Sequence, residues 1–199
     1  LLARQLDELE QVTQACRQQG VSASCFQVDL RQTEVLSSLL EAILAEQGTP
    51  DILVNNAGIG SFGLLDDLSL QQLDDMLRVN VMGSWVLSKA VAPGMKHRGS
   101  GLLVNILSDA AYRSFSGGTA YCASKFAQEG LFGALRAELT GTGVGICNIY
   151  PGLVNTYFNG KIPQSTPIQG VLQAQEVAEA VWQAIASEGK LQRIDIKAN

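Results

Sequence analysis

Tyr121 and Lys125 stand at an i, i+4 offset in Tyr121-Cys122-Ala123-Ser124-Lys125, which on a helix places both side chains on one face. A phenol with a pKa of about 10 is a poor acid–base catalyst at neutral pH, and a neighbouring ammonium favours its ionised form, so the pairing is expected to lower the tyrosine pKa. Taken alone, the pair fits an ordinary amphipathic helix with a half-buried tyrosine equally well. Ser108 closes the apolar run Leu102 to Leu107 and is separated from Tyr121 by a loop rich in Ser and Gly. Strand end and helix start can then face each other, and the Ser108 hydroxyl could hydrogen-bond a substrate oxygen as charge develops on it. A lone serine at a strand end is otherwise a turn residue. Asn80 interrupts an apolar helical pattern, so its amide is either exposed or buried with specific partners. His97, the only histidine, sits in the polar run Met95-Lys96-His97-Arg98-Gly99 and reads as a solvated residue, which leaves nothing to build a histidine triad.

These groups need elements to hold them. Short β-rich apolar runs alternate with segments of helical period, the pattern of βαβ units around a parallel sheet. Leu6, Leu9, Thr13 and Cys16 line one helix face ahead of Gly20, Ser22 to Val28 reads as a strand, and a helix runs from Thr33 to about Gln47. Gly48-Thr49-Pro50 breaks it, and the strand Asp51 to Val54 empties into the loop Asn55-Asn56-Ala57-Gly58-Ile59-Gly60. Open α/β sheets bind ligands at such strand ends. Helices are expected at Ser69 to Arg78, Val81 to Lys96, Thr119 to Leu139 and about Gln175 to Ser187. Strands are expected at Leu102 to Leu107, Val144 to Ile149 and Leu191 to Ile196.

At 199 residues, with 46% hydrophobic and 17% charged residues, the chain has the size and apolar content of one domain spanning 1–199. Its formal charge of −5 comes without a Lys/Arg stripe, so nucleic acid is not an expected partner. Cys16, Cys25, Cys122 and Cys147 are scattered without C-x-x-C spacing, which favours reduced thiols over a metal site or a disulfide framework. No apolar run approaches the roughly 20 residues of a membrane span, and Arg4, Asp7, Glu8 and Glu10 occupy the N-terminal stretch instead of a signal pattern. A cytoplasmic protein without membrane contact is expected.

In combination these residues resemble the short-chain dehydrogenase/reductase family. Asn55-Asn56-Ala57-Gly58 matches its N-N-A-G loop, Asn80 its helix asparagine, Ser108 its serine, and Tyr121 with Lys125 its Y-x-x-x-K. Pro151-Gly152, Val154 and Thr156 match its P-G-x-V-x-T segment at the nicotinamide end of the cofactor. The resemblance implies an α/β, Rossmann-type doubly wound parallel sheet with helices on both faces. It also implies hydride transfer between a nicotinamide cofactor and a carbonyl or secondary alcohol. Tyr121 would exchange the proton, Ser108 would polarise the substrate oxygen, and Lys125 would bind the nicotinamide ribose. Asn80 would hold a water in a proton relay. Asn55, Ala57 and Gly58 would line the cofactor, and Asp29 would lie beside the adenine, although a helix-preceding cap explains Asp29 as well.

The resemblance also frames specificity. Ala3 stands where an acidic residue would select NAD and Arg4 follows it, which favours NADP(H) over NAD(H). Leu1-Leu2-Ala3 reads as the tail of a strand and no G-x-G-x-x-G loop occurs, so a first strand, helix and glycine-rich turn are expected ahead of Leu1. Residues 153–170 would form the substrate-covering loop, with Leu153, Tyr157 and Phe158 as an apolar wall or as its anchors to the core. Ala110 and Tyr112 follow the serine, and Tyr112 is expected to narrow the pocket. The helices beginning near Val81 and Thr119 would pair subunits into a homodimer or homotetramer, with Trp85 and Phe132 as candidate contacts. A small-molecule carbonyl or 3-oxoacyl thioester reductase is the leading function. A non-catalytic dinucleotide-binding sensor or structural protein of the same fold is the alternative.

Overall fold

The computed structural model describes residues 1–166 and 168–198. Pro167, inside the expected covering loop, and Asn199 lie outside the described residues. Four parallel strands make the main sheet in the order β3 (Ile52–Asn55), β4 (Gly101–Ile106), β5 (Val144–Pro151) and β8 (Arg193–Ile196). Two short parallel pairs flank it: β1 (Leu2–Ala3) with β2 (Phe26–Gln27), and β6 (Val154–Asn155) with β7 (Leu172–Gln173). Helices α1 (Leu6–Gln18), α2 (Thr33–Gln47), α3 (Leu70–Met76), α4 (Ser84–Arg98), α5 (Thr119–Leu139) and α6 (Ala174–Ala186) link the strands. The parallel α/β sheet expected from the alternation, in the doubly wound form that the resemblance implies, is therefore present. Leu2 and Leu53 pack against one buried cluster, but β1 and β3 are not hydrogen-bonded, and Ile52 and Val54 of β3 stay substantially exposed.

Side chains alternate across a strand, so each strand serves two helix layers. Leu102 and Val104 of β4, with Cys147 and Ile149 of β5, meet Ala180 and Ala184 of α6. Leu103 and Ile146 point the other way, onto Val91 and Met95 of α4 and Leu139 of α5. On that second face each strand reads apolar and then asparagine: Leu53 and Asn55, Leu103 and Asn105, Ile146 and Asn148. The register brings the three asparagines side by side. Asn55 Nδ2 donates to Asn105 Oδ1 at 2.8 Å, and Asn105 Nδ2 donates to Asn148 Oδ1 at 2.9 Å. The row ends on Glu129 of α5, which accepts from Asn148 Nδ2 at 3.3 Å and from the Tyr150 hydroxyl at 2.5 Å. A buried amide row of this kind locks the C-terminal strand ends in register, because a slipped strand would orphan several polar groups at once.

Two elements differ from the sequence expectation. Pairing in β2 covers only Phe26–Gln27, because its partner β1 is itself two residues long. Between α3 and α4, Leu77–Gly83 continues the helix in a wider π-helical turn instead of breaking it, and such turns redirect side chains toward functional sites. Replacing Asn105 by Leu strands Asn148 Oδ1 and leaves Asn55 Nδ2 only its long contact to Ser88 Oγ at 3.4 Å. At about 1–3 kcal/mol for each orphaned buried group, N105L is expected to lose roughly 2–5 kcal/mol in urea unfolding.

Candidate active site

The π-helical turn aims Asn80 inward, and its buried amide grips the loop that follows β3. Asn80 Oδ1 accepts from Ile59 N and Nδ2 donates to Ile59 O, both at 2.9 Å, so the side chain mimics a strand partner for one peptide. Nδ2 also donates to Ser124 Oγ at 2.9 Å, and that hydroxyl donates to Tyr121 O at 2.8 Å. One turn later Ser84 Oγ donates to Asn80 O at 2.8 Å and accepts from Gln128 Nε2 at 3.2 Å. Helix α5 is thus fixed in rotation and height against the π-helical turn by polar contacts, and this sets the direction of Tyr121 and Lys125. Through these partners the Asn80 side chain positions both the loop and α5.

Tyr121 and Lys125 are both buried, and Lys125 Nζ lies 5.8 Å from the centre of the Tyr121 ring. Burial dominates both groups. It pushes the phenol up to about 12, with the Ser108 hydroxyl pulling down and Asp109 adding to the rise. Burial also pulls the ammonium down to about 7. The expected lowering of the tyrosine by its lysine is therefore not the leading influence here. Ser108 lies two residues past β4 in extended backbone, its Oγ accepts from Ala110 N at 3.1 Å, and it donates weakly to Asp109 at 3.3 Å.

Lys125 spends one of its three donors, on Ile106 O at 3.3 Å. Directly beside it, a Cβ on Gly58 would fall 3.8 Å from Nζ and 3.4 Å from Asn80 Oδ1. Glycine keeps that space clear, and unspent ammonium donors next to a cleared backbone fit the hydroxyls of a ribose. Asn55 contributes its side chain to the amide row, with Oδ1 buried and unpartnered, whereas Ala57 is exposed on the loop. Pro151 is buried at the end of β5, Gly152 N donates to Ile196 O at 3.0 Å, Val154 lies in β6, and Thr156 Oγ1 accepts from Phe158 N at 3.4 Å. Just after β1, Arg4 is exposed and has no carboxylate at ion-pair distance among the described residues. The Asp29 carboxylate is taken by Arg31, whose Nη2 approaches at 2.6 Å and holds the carboxyl below its usual range. Asp29 also accepts from Arg31 N at 3.0 Å, a local turn rather than a cap on α2.

Over Tyr121 the structure gathers aromatic rings. Phe62 lies 5.1 Å and Phe158 5.8 Å from it, centre to centre, both edge-on, and Ala110 packs in the same cluster. Tyr112 goes elsewhere: its hydroxyl donates to Asp195 at 2.8 Å and its ring meets Tyr150, so it ties the serine loop to β8 instead of narrowing the mouth. Leu153 and Tyr157 are exposed, whereas Phe158 packs against the cluster around Tyr121.

A family model described as short chain dehydrogenase matches residues 1–167. The chain belongs to the short-chain dehydrogenase family. Sepiapterin reductase of Chlorobaculum tepidum is 32% identical over 184 residues, covering 92% of this chain and 75% of that protein. Dehydrogenase/reductase SDR family member 7 of Mus musculus is 36% identical over 161 residues, covering 78% of this chain but only 48% of the mouse protein. An alcohol dehydrogenase from the archaeon Thermococcus sibiricus, solved with 5-hydroxy-NADP, superposes with a TM-score of 0.91 at 29% identity, over 100% of this chain and 84% of that one.

In this short-chain dehydrogenase several site residues carry no local sequence signal. Ser124 sits within Y-x-x-x-K and reads there as filler. Phe62 and Phe115 come from separate loops, and only the fold brings them near Tyr121. The π-helical turn could have been suspected from the gap between the two expected helices, which falls on Val79 and Asn80.

The lysine has a measurable consequence. Above about pH 10.5 the folded and unfolded chains both carry it neutral; as pH falls toward about 7 the unfolded chain takes up a proton that the folded chain resists, so stability is lost. At about 1.4 kcal/mol per pKa unit the penalty is on the order of a few kcal/mol. Lys125→Met is therefore expected to melt above the wild type at pH 7 without cofactor, with the advantage shrinking by pH 10, as followed by circular dichroism.

Proposed function

We propose that this chain carries out NADP(H)-dependent hydride transfer between nicotinamide and a carbonyl or secondary alcohol, with Tyr121 as general acid and base. The observation that carries this reading is the buried Lys125 ammonium, with one of its three donors spent on Ile106 O, beside Tyr121 and next to the cleared Gly58 backbone. NADPH, when bound, supplies the hydride. Tyr121 gives its proton to the carbonyl oxygen, and its high pKa keeps that proton in place until negative charge develops on the oxygen. Ser108 donates a hydrogen bond to the same oxygen and stabilises the developing charge. Lys125 offers its unspent donors to the nicotinamide ribose, and once that contact forms its charge favours the phenolate left on Tyr121. Asn80 holds the loop and α5 at the spacing that these steps need.

NADP(H) over NAD(H) is supported by Ala3 in place of a ribose-binding acid, by unpaired Arg4, and by the NADP derivative bound to the archaeal relative. Asp29 can approach an adenine only by sharing its carboxylate with Arg31. We further propose a cytoplasmic enzyme acting on small molecules as a homodimer or homotetramer. No helix among the described residues is long and apolar enough to cross a membrane. Trp85, half-exposed on α4 with Lys89 Nζ 4.7 Å above its ring, supports a subunit contact there. Phe132 does not, because it is wholly buried against Leu107, Ala111 and Tyr150.

The test is reduction of a ketone panel by the full-length protein, followed as loss of NADPH absorbance. Tyr121→Phe is expected to lower kcat by about 10²–10⁴-fold while NADPH binding stays within a few-fold, and NADH is expected to serve at least tenfold less well. Tight NADPH binding with no turnover of any ketone would favour the sensor. Trp85→Glu is expected to shift the mass in light scattering toward the monomer; an unchanged mass would remove this helix from the interface.

A further inference from the structure

In the proposed reaction Ser108 and Tyr121 fix where a carbonyl oxygen sits, and the rings gathered beside Tyr121 are aromatic. Phe62 comes from the loop after β3, Phe115 from the loop before α5, and Phe158 from the segment after β6. Phe62 is the hub, 5.1 Å from Tyr121, 6.2 Å from Phe115 and 6.4 Å from Phe158. Core aromatics bury their rings, but Phe62 and Phe115 remain 41% and 47% exposed, so ring surface beside the catalytic phenol is unspent.

The backbone is cut to seat these rings. A Cβ on Gly60 would lie 2.8 Å from the Phe158 ring and 3.1 Å from that of Phe62, and one on Gly118 would lie 2.6 Å from the Phe115 ring. Neither glycine has a left-handed backbone, so each is needed for space and not for conformation. Gly63 N donates to Gly117 O at 2.9 Å and ties the Phe62 loop to the Phe115 loop. Residues 59–70 contain Asp66 and Asp67 but no Lys or Arg, while Arg113 stands two residues before Phe115 and Lys161 three after Phe158. The segment that bears the hub ring Phe62 thus carries carboxylates alone, which disfavours a phosphate-bearing acyl thioester beside that ring.

We propose, resting on the oxidoreductase reading above, that Phe62, Phe115 and Phe158 form an aromatic clamp that selects uncharged substrates with an aromatic ring bonded to the carbonyl. Stacked and edge-on contacts reward a flat ring more than an aliphatic one of equal size. Conjugation makes an aryl ketone intrinsically harder to reduce, so a preference for it reports on the protein.

The experiment compares kcat/KM of the full-length protein, at saturating NADPH, for acetophenone, cyclohexyl methyl ketone and acetoacetyl-CoA. Acetophenone is expected to lead the cyclohexyl ketone by at least tenfold and the thioester by more. In Phe62→Leu and Phe115→Leu the aryl-to-cyclohexyl ratio is expected to fall to about two. A wild-type ratio of one or below, a ratio unmoved in both variants, or preference for the thioester overturns the clamp and leaves the oxidoreductase reading intact. Should none of the three be reduced, the oxidoreductase reading fails, and the clamp is judged by calorimetry on the NADPH complex. Tighter binding of acetophenone than of cyclohexyl methyl ketone then supports it, and equal or absent binding of the two overturns it.

Discussion

The pairing of the Asn80 amide with the Ile59 peptide is the contact on which the site depends. It meets the hydrogen-bonding needs of a loop peptide that no strand partner reaches, and it does so from a buried position where a missing partner is costly. Because the same amide also holds Ser124, one side chain sets the relative positions of the β3 loop, the π-helical turn and α5. The amide row through Asn55, Asn105 and Asn148 plays the complementary part in the sheet, so loop and strand ends are held by the same kind of bond in two directions.

What that scaffold holds is energetically unfavourable by design. An ammonium with a single carbonyl partner and a phenol under aromatic rings are both driven toward their neutral forms by burial. Such groups persist only where the surroundings over-determine their place. The polar ties between α5 and the π-helical turn supply that constraint, and the apolar clusters on both sheet faces supply the stabilisation that offsets it.

Features with a local physical cause could be read from the sequence. Helix α2 ends where Gly48 takes a left-handed turn ahead of Pro50, and its expected range coincides with Thr33–Gln47. Helix α5 likewise follows its apolar period from Thr119 to Leu139. The residues proposed to react stand out in the sequence because their order along the chain is distinctive. Asn105 and Asn148 could not: inside Leu-Leu-Val-Asn-Ile and Gly-Ile-Cys-Asn-Ile each looks like an interruption, and they become a row only once the strand register aligns them with Asn55. Phe62 and Phe115 are invisible for the same reason, since their meeting is made by loops whose ends the sheet brings together. Tyr112 carried a misleading signal, because its nearness to Ser108 in sequence says nothing of Asp195.

The link from Tyr112 to Asp195 spans 83 positions along the chain, and Arg193 closes it by lying over the rings of both Tyr112 and Tyr150 while pairing with Asp195. The loop that bears Ser108 is therefore completed by a strand made long after it. During synthesis, the segments through α5 can collapse while this loop still lacks its last support, and docking of β8 finishes strand and loop in one event. Long-range closure of this kind is slow relative to local helix formation, so the loop that bears Ser108 takes its finished form only once β8 has docked.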